Sequence, residues 1–437
     1  MDKVIARVLC TSLLCSGQAL AVTFEEVYED AKNNSPMLNQ ANAKRERLHE
    51  NIEQQTGALL PQVNLSASYV VSEGDSYDIE RSNASIAVQQ LIYDESSWQR
   101  LSLSELNAHY ADVQFDDLKQ SFILSVATSY FNVLRAIDKL TLTRAEKKAV
   151  REHLNHTKKR FDLGLSTATD VYDAQAEYDQ MLANEITAKN RVKDRKHELW
   201  LLTNQRYGEL SPLDTNKFSH GIPSSKVDEL FQQAKTKNMQ LLAGRISMEI
   251  HKAKIDYANS GHAPNVKLNS SYQHTNYRNG DVLDPYTDDG DTWNVGIMMN
   301  VPIYTGGQIS SSVKQAQFAL VESQEQFDSL IRKTEQNINK LHNDIISNSE
   351  LIKAHTQSTK SAKESLKATE AGFDVGTRSI IDVLQASRRL YSSNRMLSEA
   401  QYDYIISKLS LKYQVGTISE QDVRDISKGL HIRKIKI

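Results

Sequence analysis

The 437-residue chain is long enough for two or three ordinary domains, and 52 Lys plus Arg against 55 Asp plus Glu leave a net charge of −3. That near balance gives no electrostatic reason to expect nucleic acid as a partner. With 17 glycines, 7 prolines and a mean hydropathy of −0.52, the chain is not collagen-like, Pro-rich or a helical membrane bundle, and long polar helices are the expectation.

The first 21 residues read as a secretory signal peptide. Lys3 and Arg7 precede an apolar stretch around Val8 to Leu14, and Ala19-Leu20-Ala21 has the small-x-small form of a cleavage site. A lipid-anchored cysteine is preceded by a small residue, and Leu14 before Cys15 is not one. Cleavage removes both cysteines, Cys10 and Cys15, so the mature chain holds neither a disulfide nor a thiolate metal site. No later stretch approaches 18 consecutive apolar residues, which leaves a β-barrel as the only route into a bilayer.

In chain order, the first expected element is a helix over about 24–57. Two period-two segments follow, 62–72 and 84–93. Val63, Leu65, Ala67, Tyr69 and Val71 alternate with polar residues in one, and Ala84, Ile86, Val88 and Ile92 share a face in the other. A polar loop over 73–82 joins them. Next come a helix over 95–162, on the order of 100 Å long at ~1.5 Å per residue, and a helix over 168–204. A connector at 205–223 carries Pro212, Gly221 and Pro223.

The order then repeats: a helix over 226–260, strands over 264–274 and 292–304, and helices over 308–374 and 379–415. The second strand pair presents Val266, Leu268 and Tyr272, then Trp293, Val295, Ile297, Met299, Val301 and Ile303. Its loop, 275–291, is acid-rich through Asp281, Asp284, Asp288, Asp289 and Asp291. Residues 417–437 form a peripheral tail that ends basic with Arg433, Lys434 and Lys436.

The helices have coiled-coil spacing. Ile123, Val126, Tyr130, Val133, Ile137 and Leu140 step by alternating threes and fours. Val383, Leu390, Leu397, Tyr404 and Leu411 recur every seven residues, with Ala386, Ser393, Ala400 and Ser407 recurring between them. A large/small heptad seam lets helices approach closely and supercoil left-handedly.

The two runs of elements are an internal duplication. At an offset of 203, Glu26, Ala31, Lys32 and Leu38 fall on Glu229, Ala234, Lys235 and Leu241, and Pro61, Val63 and Leu65 on Pro264, Val266 and Leu268. At an offset of 212, Phe161, Asp162 and Gly164 fall on Phe373, Asp374 and Gly376, and Asp170-Val171 on Asp382-Val383. The chain therefore divides into repeats 22–225 and 226–416. Pro61, Pro264 and Pro302 mark the points where helix and strand interchange.

Four strands cannot close a membrane barrel, whose smallest form uses about eight. An open sheet would expose unpaired edges to lipid, so chains must pool their strands. A dimer would supply eight and a trimer twelve, and strand arithmetic does not choose between them.

Several segments carry a resemblance. Ala127-Thr-Ser-Tyr-Phe-Asn-Val-Leu134, Arg160-Phe-Asp-Leu-Gly-Leu165, Leu182-Ala-Asn-Glu185, Pro302-Ile-Tyr-Thr-Gly-Gly307, Val375-Gly-Thr-Arg378 and Asp382-Val-Leu384, together with the duplication, resemble TolC-family outer-membrane efflux proteins over essentially the whole mature length. The resemblance implies a mixed α+β fold: a homotrimer with a twelve-stranded outer-membrane β-barrel, four strands per chain, continuous with a long periplasmic α-helical barrel. It also implies a gated exit duct, docked to a periplasmic adaptor and an inner-membrane transporter of the RND, ABC or MFS class. Such a duct exports drugs, or proteins in type I secretion, and lies in the outer membrane of a Gram-negative cell.

The turns at 163–170 and 375–382 are the expected periplasmic tips. Locally, Gly164 and Gly376 fit helix C-caps of positive φ, and Thr167-x-x-Asp170 and Ser379-x-x-Asp382 fit capping boxes. The resemblance adds gate roles. Arg378 matches a gate arginine, Asp170 and Thr169 match its partners, and Asp382 matches a ring of aspartates at the entrance. Phe373 stands where the family's gate has a tyrosine, and lacks the hydroxyl to bond Asp170. Gln385 stands at the second ring position, where a neutral side chain weakens cation selectivity. Leu163, Gly164, Leu165, Val375, Gly376 and Thr377 resemble the adaptor-contacting motifs.

Other candidates are weaker. His153 and His156, near Glu152, are expected on a solvated face rather than around a metal. Asp288-Asp-Gly-Asp291 lacks EF-hand spacing and reads as an extracellular loop. No phosphate loop, nucleophile elbow or paired-carboxylate pattern stands out, so neither catalysis nor a cofactor is expected. The competing class is a periplasmic coiled-coil spacer without a lumen, which the apolar strand faces argue against.

Overall fold

The computed structural model describes residues 21–74, 77–213, 221, 225–278 and 289–429. The expected signal segment up to residue 20, Pro223, most of the acidic loop and the basic end of the tail lie outside the described residues. The chain forms two compact units. One takes Gln120–Leu230, Asn337 onward and the chain up to Pro36; the other takes Met37–Lys119 and Phe231–Gln336.

Twelve elements fall into two matching series. The first is α1 (Phe24–Asn34), α2 (Pro36–Leu59), β1 (Gln62–Gly74), β2 (Tyr77–Asp94), α3 (Glu95–Asp162) and α4 (Ala168–Thr203). The second is α5 (Val227–Lys237), α6 (Met239–Asn259), β3 (Asn265–Arg278), β4 (Gly290–Asn300), α7 (Gln308–Asp374) and α8 (Ile380–Val415). A short helix α9 (Glu420–Lys428) gives the expected tail an ordered, helical first part.

Each leading helix, expected as one, is two. The first breaks at Ser35, with φ −76 and ψ 112. Pro36 lacks an N–H and opens α2 at the first helical position. The second breaks at Asn238, 203 residues on, with φ −71 and ψ 120, and its side chain caps Leu241 N at 2.9 Å. The break therefore survives duplication although the residues that make it differ.

The strands are also longer than expected on the side away from the helices. β1 and β2 pair as far as Gly74–Tyr77, across most of the loop expected over 73–82. β3 runs to Arg278, into the expected acidic loop, while β4 stops at Asn300, before Val301 and Pro302. The antiparallel order is β1-β2-β3-β4. Its register lines up four separate alternation patterns on one face. Leu65 sits opposite Ile86, Ile86 opposite Tyr272, and Tyr272 opposite Trp293; Val63, Val88, Ser270 and Val295 form the next row. The other face carries Asn64, Ser66, Ser85, Asn269, Ser271 and Asn294. A bulge between Leu91 and Tyr93 takes Ile92 out of the ladder.

In this sheet unit, Val113 of α3 packs with Ile246 and Ile250 of α6, flanked by Leu103, Leu106 and Leu242. In the helical unit the core is aromatic: Phe24 of α1 meets Tyr130 and Phe131 of α3 at 5.3 and 6.1 Å, and Phe131 meets Tyr402 of α8 at 6.1 Å. Of the nine expected heptad positions, Val383, Ala386, Ala400, Tyr404 and Leu411 are buried, while Leu390, Ser393, Leu397 and Ser407 are half-buried within one chain. Val22 pairs with Leu210 in a parallel bridge, and Tyr130 Oη donates to Ser211 O at 2.9 Å, so part of the 205–223 connector is fastened to this core.

Candidate functional site

Both helix-to-helix turns lie in the helical unit and share one backbone design. Each long helix ends with a glycine of positive φ, Gly164 at 73° and Gly376 at 82°. Gly164 N donates to Phe161 O and Leu165 N to Arg160 O, both at 2.8 Å. Gly376 N donates to Phe373 O at 3.1 Å and Thr377 N to Gly372 O at 2.8 Å. This is the double closure that satisfies a helix's last carbonyls, and it requires the left-handed conformation glycine adopts without strain.

The next helices open on matched capping boxes. Thr167 Oγ1 accepts from Asp170 N at 3.2 Å, and Thr167 N donates to Asp170 Oδ2 at 2.9 Å. Ser379 and Asp382 repeat those two bonds at 3.2 and 2.9 Å. In both aspartates the backbone donor is the foremost cause holding the carboxyl below its usual range; Thr167 and Ser166 hydroxyls assist at Asp170, and the Ser379 hydroxyl and nearby Arg378 at Asp382. Both therefore stay ionised at a helix N-terminus, where the macrodipole also favours negative charge.

The side chains around this shared frame differ. At the first turn Phe161 is exposed, and Ser166 Oγ donates to Asp170 Oδ2 at 2.9 Å. At the second, Phe373 is buried with Val150, Leu154, Ala174, Met181, Ile380, Val383 and Leu384. Its ring meets the Arg160 guanidinium at 4.9 Å and the edge of His156 at 5.7 Å. Lacking a hydroxyl, Phe373 joins the two repeats through a cation–π contact with Arg160.

Arg378 is exposed and lies back over Gly372, where an added Cβ would come within 2.8 Å of Arg378 Cγ. Gly372 O accepts from Arg378 N at 3.2 Å and from Thr377 Oγ1 at 3.0 Å as well as from Thr377 N. Gly372, which sequence reasoning missed, thus seats the whole Thr377-Arg378 segment. Its counterpart at the 212-residue offset is Arg160, and that mismatch was the available signal. Among the described residues, no hydrogen bond joins Arg378 to Asp170 or Thr169 within the chain. Thr169 and Gln385 are exposed, as are Leu163, Leu165 and Val375 at the turn tips.

Of the two histidines, His156 is exposed as expected and His153 departs from expectation. His153 is not on a solvated face: its side chain is 17% exposed and its Nε2 lies 3.7 Å from Glu370 Oε1 of α7. Burial lowers its pKa, opposed by Glu370 and Glu152. Among the described residues no group of three or more His, Cys, Asp or Glu side chains is arranged for a metal ion. From the acidic loop, Asp289 accepts from Tyr277 N at 2.6 Å and Asp291 contacts His274 at 2.7 Å; Asp288 lies outside the described residues.

A family model described as outer membrane efflux protein matches residues 27–205 and 230–417. The chain belongs to that family. The two matched segments follow the two series of elements. Outer membrane protein TolC of Vibrio cholerae is 40% identical over 421 residues, 96% of each chain. The proteases secretion protein PrtF of Dickeya chrysanthemi is 25% identical, over 95% of this chain and 92% of its own. Among solved structures, the CmeC outer membrane channel of Campylobacter jejuni matches with a TM-score of 0.75 at 16% identity, covering 94% of this chain and 90% of its own. The fold of this efflux family is therefore shared well beyond sequence similarity.

Proposed function

We propose that the protein is a passive, gated exit duct across the outer membrane and periplasm, built from three copies of this chain. One observation carries the reading: an open four-stranded sheet whose single apolar face includes Leu65 at 78%, Trp293 at 75% and Ile297 at 70% exposure, with β1 and β4 each paired on one side only. A sheet with an apolar outer face and a polar inner face suits lipid outside and water inside, and its two edges demand closure by other copies. Three copies give twelve strands, the number implied by the family resemblance. β4 is exposed at every position and α2 has no buried residue within one chain, consistent with surfaces that await a neighbour.

In this assembly the two turns surround the periplasmic entrance. Because Arg378 makes no bond to Asp170 or Thr169 inside the chain, we place that gate link between neighbouring copies. Three Asp382 side chains put a charge of about −3 in a narrow mouth and favour cations, with neutral Gln385 limiting the effect. Leu163, Gly164, Leu165, Val375, Gly376 and Thr377 offer small and apolar tip surface to a periplasmic adaptor. An inner-membrane RND, ABC or MFS transporter supplies the energy, and the duct itself performs no catalysis. The likeness to PrtF favours protein export in type I secretion beside efflux of drugs and small molecules.

The test is single-channel recording of the purified oligomer in planar bilayers, with its mass measured in detergent. Small, cation-selective conductance steps from a trimer are expected. A well-folded oligomer that never conducts would leave the coiled-coil spacer as the better reading.

A further inference from the structure

Glu177 and Glu146, two of the buried carboxylates of the helical unit, lie away from the turns and outside every role the family resemblance supplies. Glu177 of α4 has a side chain 6% exposed and Glu146 of α3 one 4% exposed. Both line a groove of about 1050 Å³ with Gln180, Asn184, Arg388 and Arg395. Arg388 of α8 grips Glu177 with two nitrogens: Nε donates to Oε1 at 2.7 Å and Nη2 donates to Oε2. Arg395, seven residues further along α8 and so on the same face, donates to Glu146 Oε2 at 2.7 Å. Arg388 also feels the charge of Glu146.

These links have a direction. Each runs from the last helix of the second repeat to a helix of the first. By helical rise, Arg388 and Arg395 stand roughly 15 and 25 Å along α8 from Arg378. The duplication does not explain them, because the reciprocal positions of Glu177 and Arg388 are Arg389 and Ala176. A buried carboxylate separated from its arginine keeps its desolvation penalty and loses its compensation. Any displacement of α8 away from α3 and α4 meets that penalty at Glu177 and again at Glu146.

We propose that Glu177–Arg388, backed by Glu146–Arg395, is a deeper set of gate links, distinct from the turn at Arg378, which holds α8 closed on the first repeat and parts when the entrance opens. The inference rests on the gated-duct reading. Glu177 and Arg388 are positioning residues: they touch no cargo and act by fixing where α8 lies. The pair is bidentate, so its geometry is specific and a lysine does not replace the arginine.

The test uses the full-length oligomer in planar bilayers, comparing the unaltered protein with Glu177→Gln, Arg388→Gln and the charge exchange Glu177→Arg with Arg388→Glu. Each single substitution is expected to raise the open probability about tenfold while the trimer remains assembled, and the exchange to bring it back toward the unaltered level. Combining Arg388→Gln with Arg378→Ala should open the channel further than either change alone. An Arg388→Gln channel that conducts with unaltered open probability overturns the proposal, as does an exchange variant as open as the single ones. Should Glu177→Gln fail to assemble, Arg388→Gln decides, since that side chain is 57% exposed and tolerates replacement. Absence of channels from the unaltered protein would instead sink the duct reading, and the deeper links with it.

Discussion

The turn at 163–167 and the turn at 375–379 have one backbone and two chemistries. Both close a long helix on a left-handed glycine and open the next on a box of Ser or Thr with Asp. The first leaves Phe161 exposed and spends Ser166 on its own Asp170; the second buries Phe373 beneath Arg160 and lays Arg378 over Gly372. Backbone closure is dictated by unsatisfied helix ends, which every copy of a helix hairpin has. What lies around it is set by neighbours, and those differ between the repeats. The duplication thus preserved a frame and let the side chains around it diverge.

The sharpest break of this comparison is Arg378→Ala against Ser166→Ala, its match at the 212-residue offset. The first should enlarge conductance severalfold in planar bilayers and the second leave it unchanged. Equal conductance in both would move the gate away from the 378 turn.

A smaller effect is expected from Gly372→Ala. The new methyl meets the Arg378 stem at 2.8 Å, a flexible group that can move aside, while alanine gains about 1 kcal/mol of helix propensity over glycine. Conductance should rise, by less than for Arg378→Ala, with no loss of thermal stability. A closed, more stable channel would show that Arg378 does not depend on its seat.

Gly164→Ala and Gly376→Ala test the shared frame. Nothing lies within 4 Å of either added Cβ, so only the positive φ opposes the change, at roughly 1–2 kcal/mol for each. Denaturation midpoints should fall equally. Unequal losses would show that the two backbones are not equivalent.

The smallest effect is in pH. The folded carboxyls of Asp170 and Asp382 lie below their ordinary value, so their capping contribution is complete above that value, near ~3.9, and fades as pH falls through the lower folded pKa. Hydrogen exchange at the first turns of α4 and α8 should be insensitive to ionisation of these two groups between pH 5 and 7, after correction for intrinsic rates, and the turns should fray below about pH 4. Asp170→Asn should flatten that acid response at α4 alone.

Much of this is legible in the sequence alone. The ends of α3 and α7 follow from Gly164 and Gly376, the start of α7 from Pro302, Gly306 and Gly307 before it, and the starts of α4 and α8 from the Thr167 and Ser379 caps, because helix ends are decided locally. The strand faces were legible for the same reason, period two being a property of the chain. The break at Asn238 was not, since an asparagine in a polar helical stretch resembles any other until its side chain is seen capping Leu241. Nor were the strand ends: 73–82 is polar in sequence yet forms a ladder, because cross-strand pairing outweighs local propensity. His153 looked solvated because nothing in α3 announces that Glu370 of α7 will face it.

Sequence by itself determined the two repeats, the helix and strand order, the glycine closures and capping boxes, and membership of an outer-membrane efflux family, since each is written in residues close together or in a whole-chain pattern. Only the tertiary structure decided that four alternation patterns share one face, that Phe373 is held by Arg160, that Gly372 seats Arg378, and that Glu177 and Glu146 find Arg388 and Arg395. Those pairings join residues as much as 249 positions apart. Their energy depends on burial and direction, which exist only once separate helices have packed.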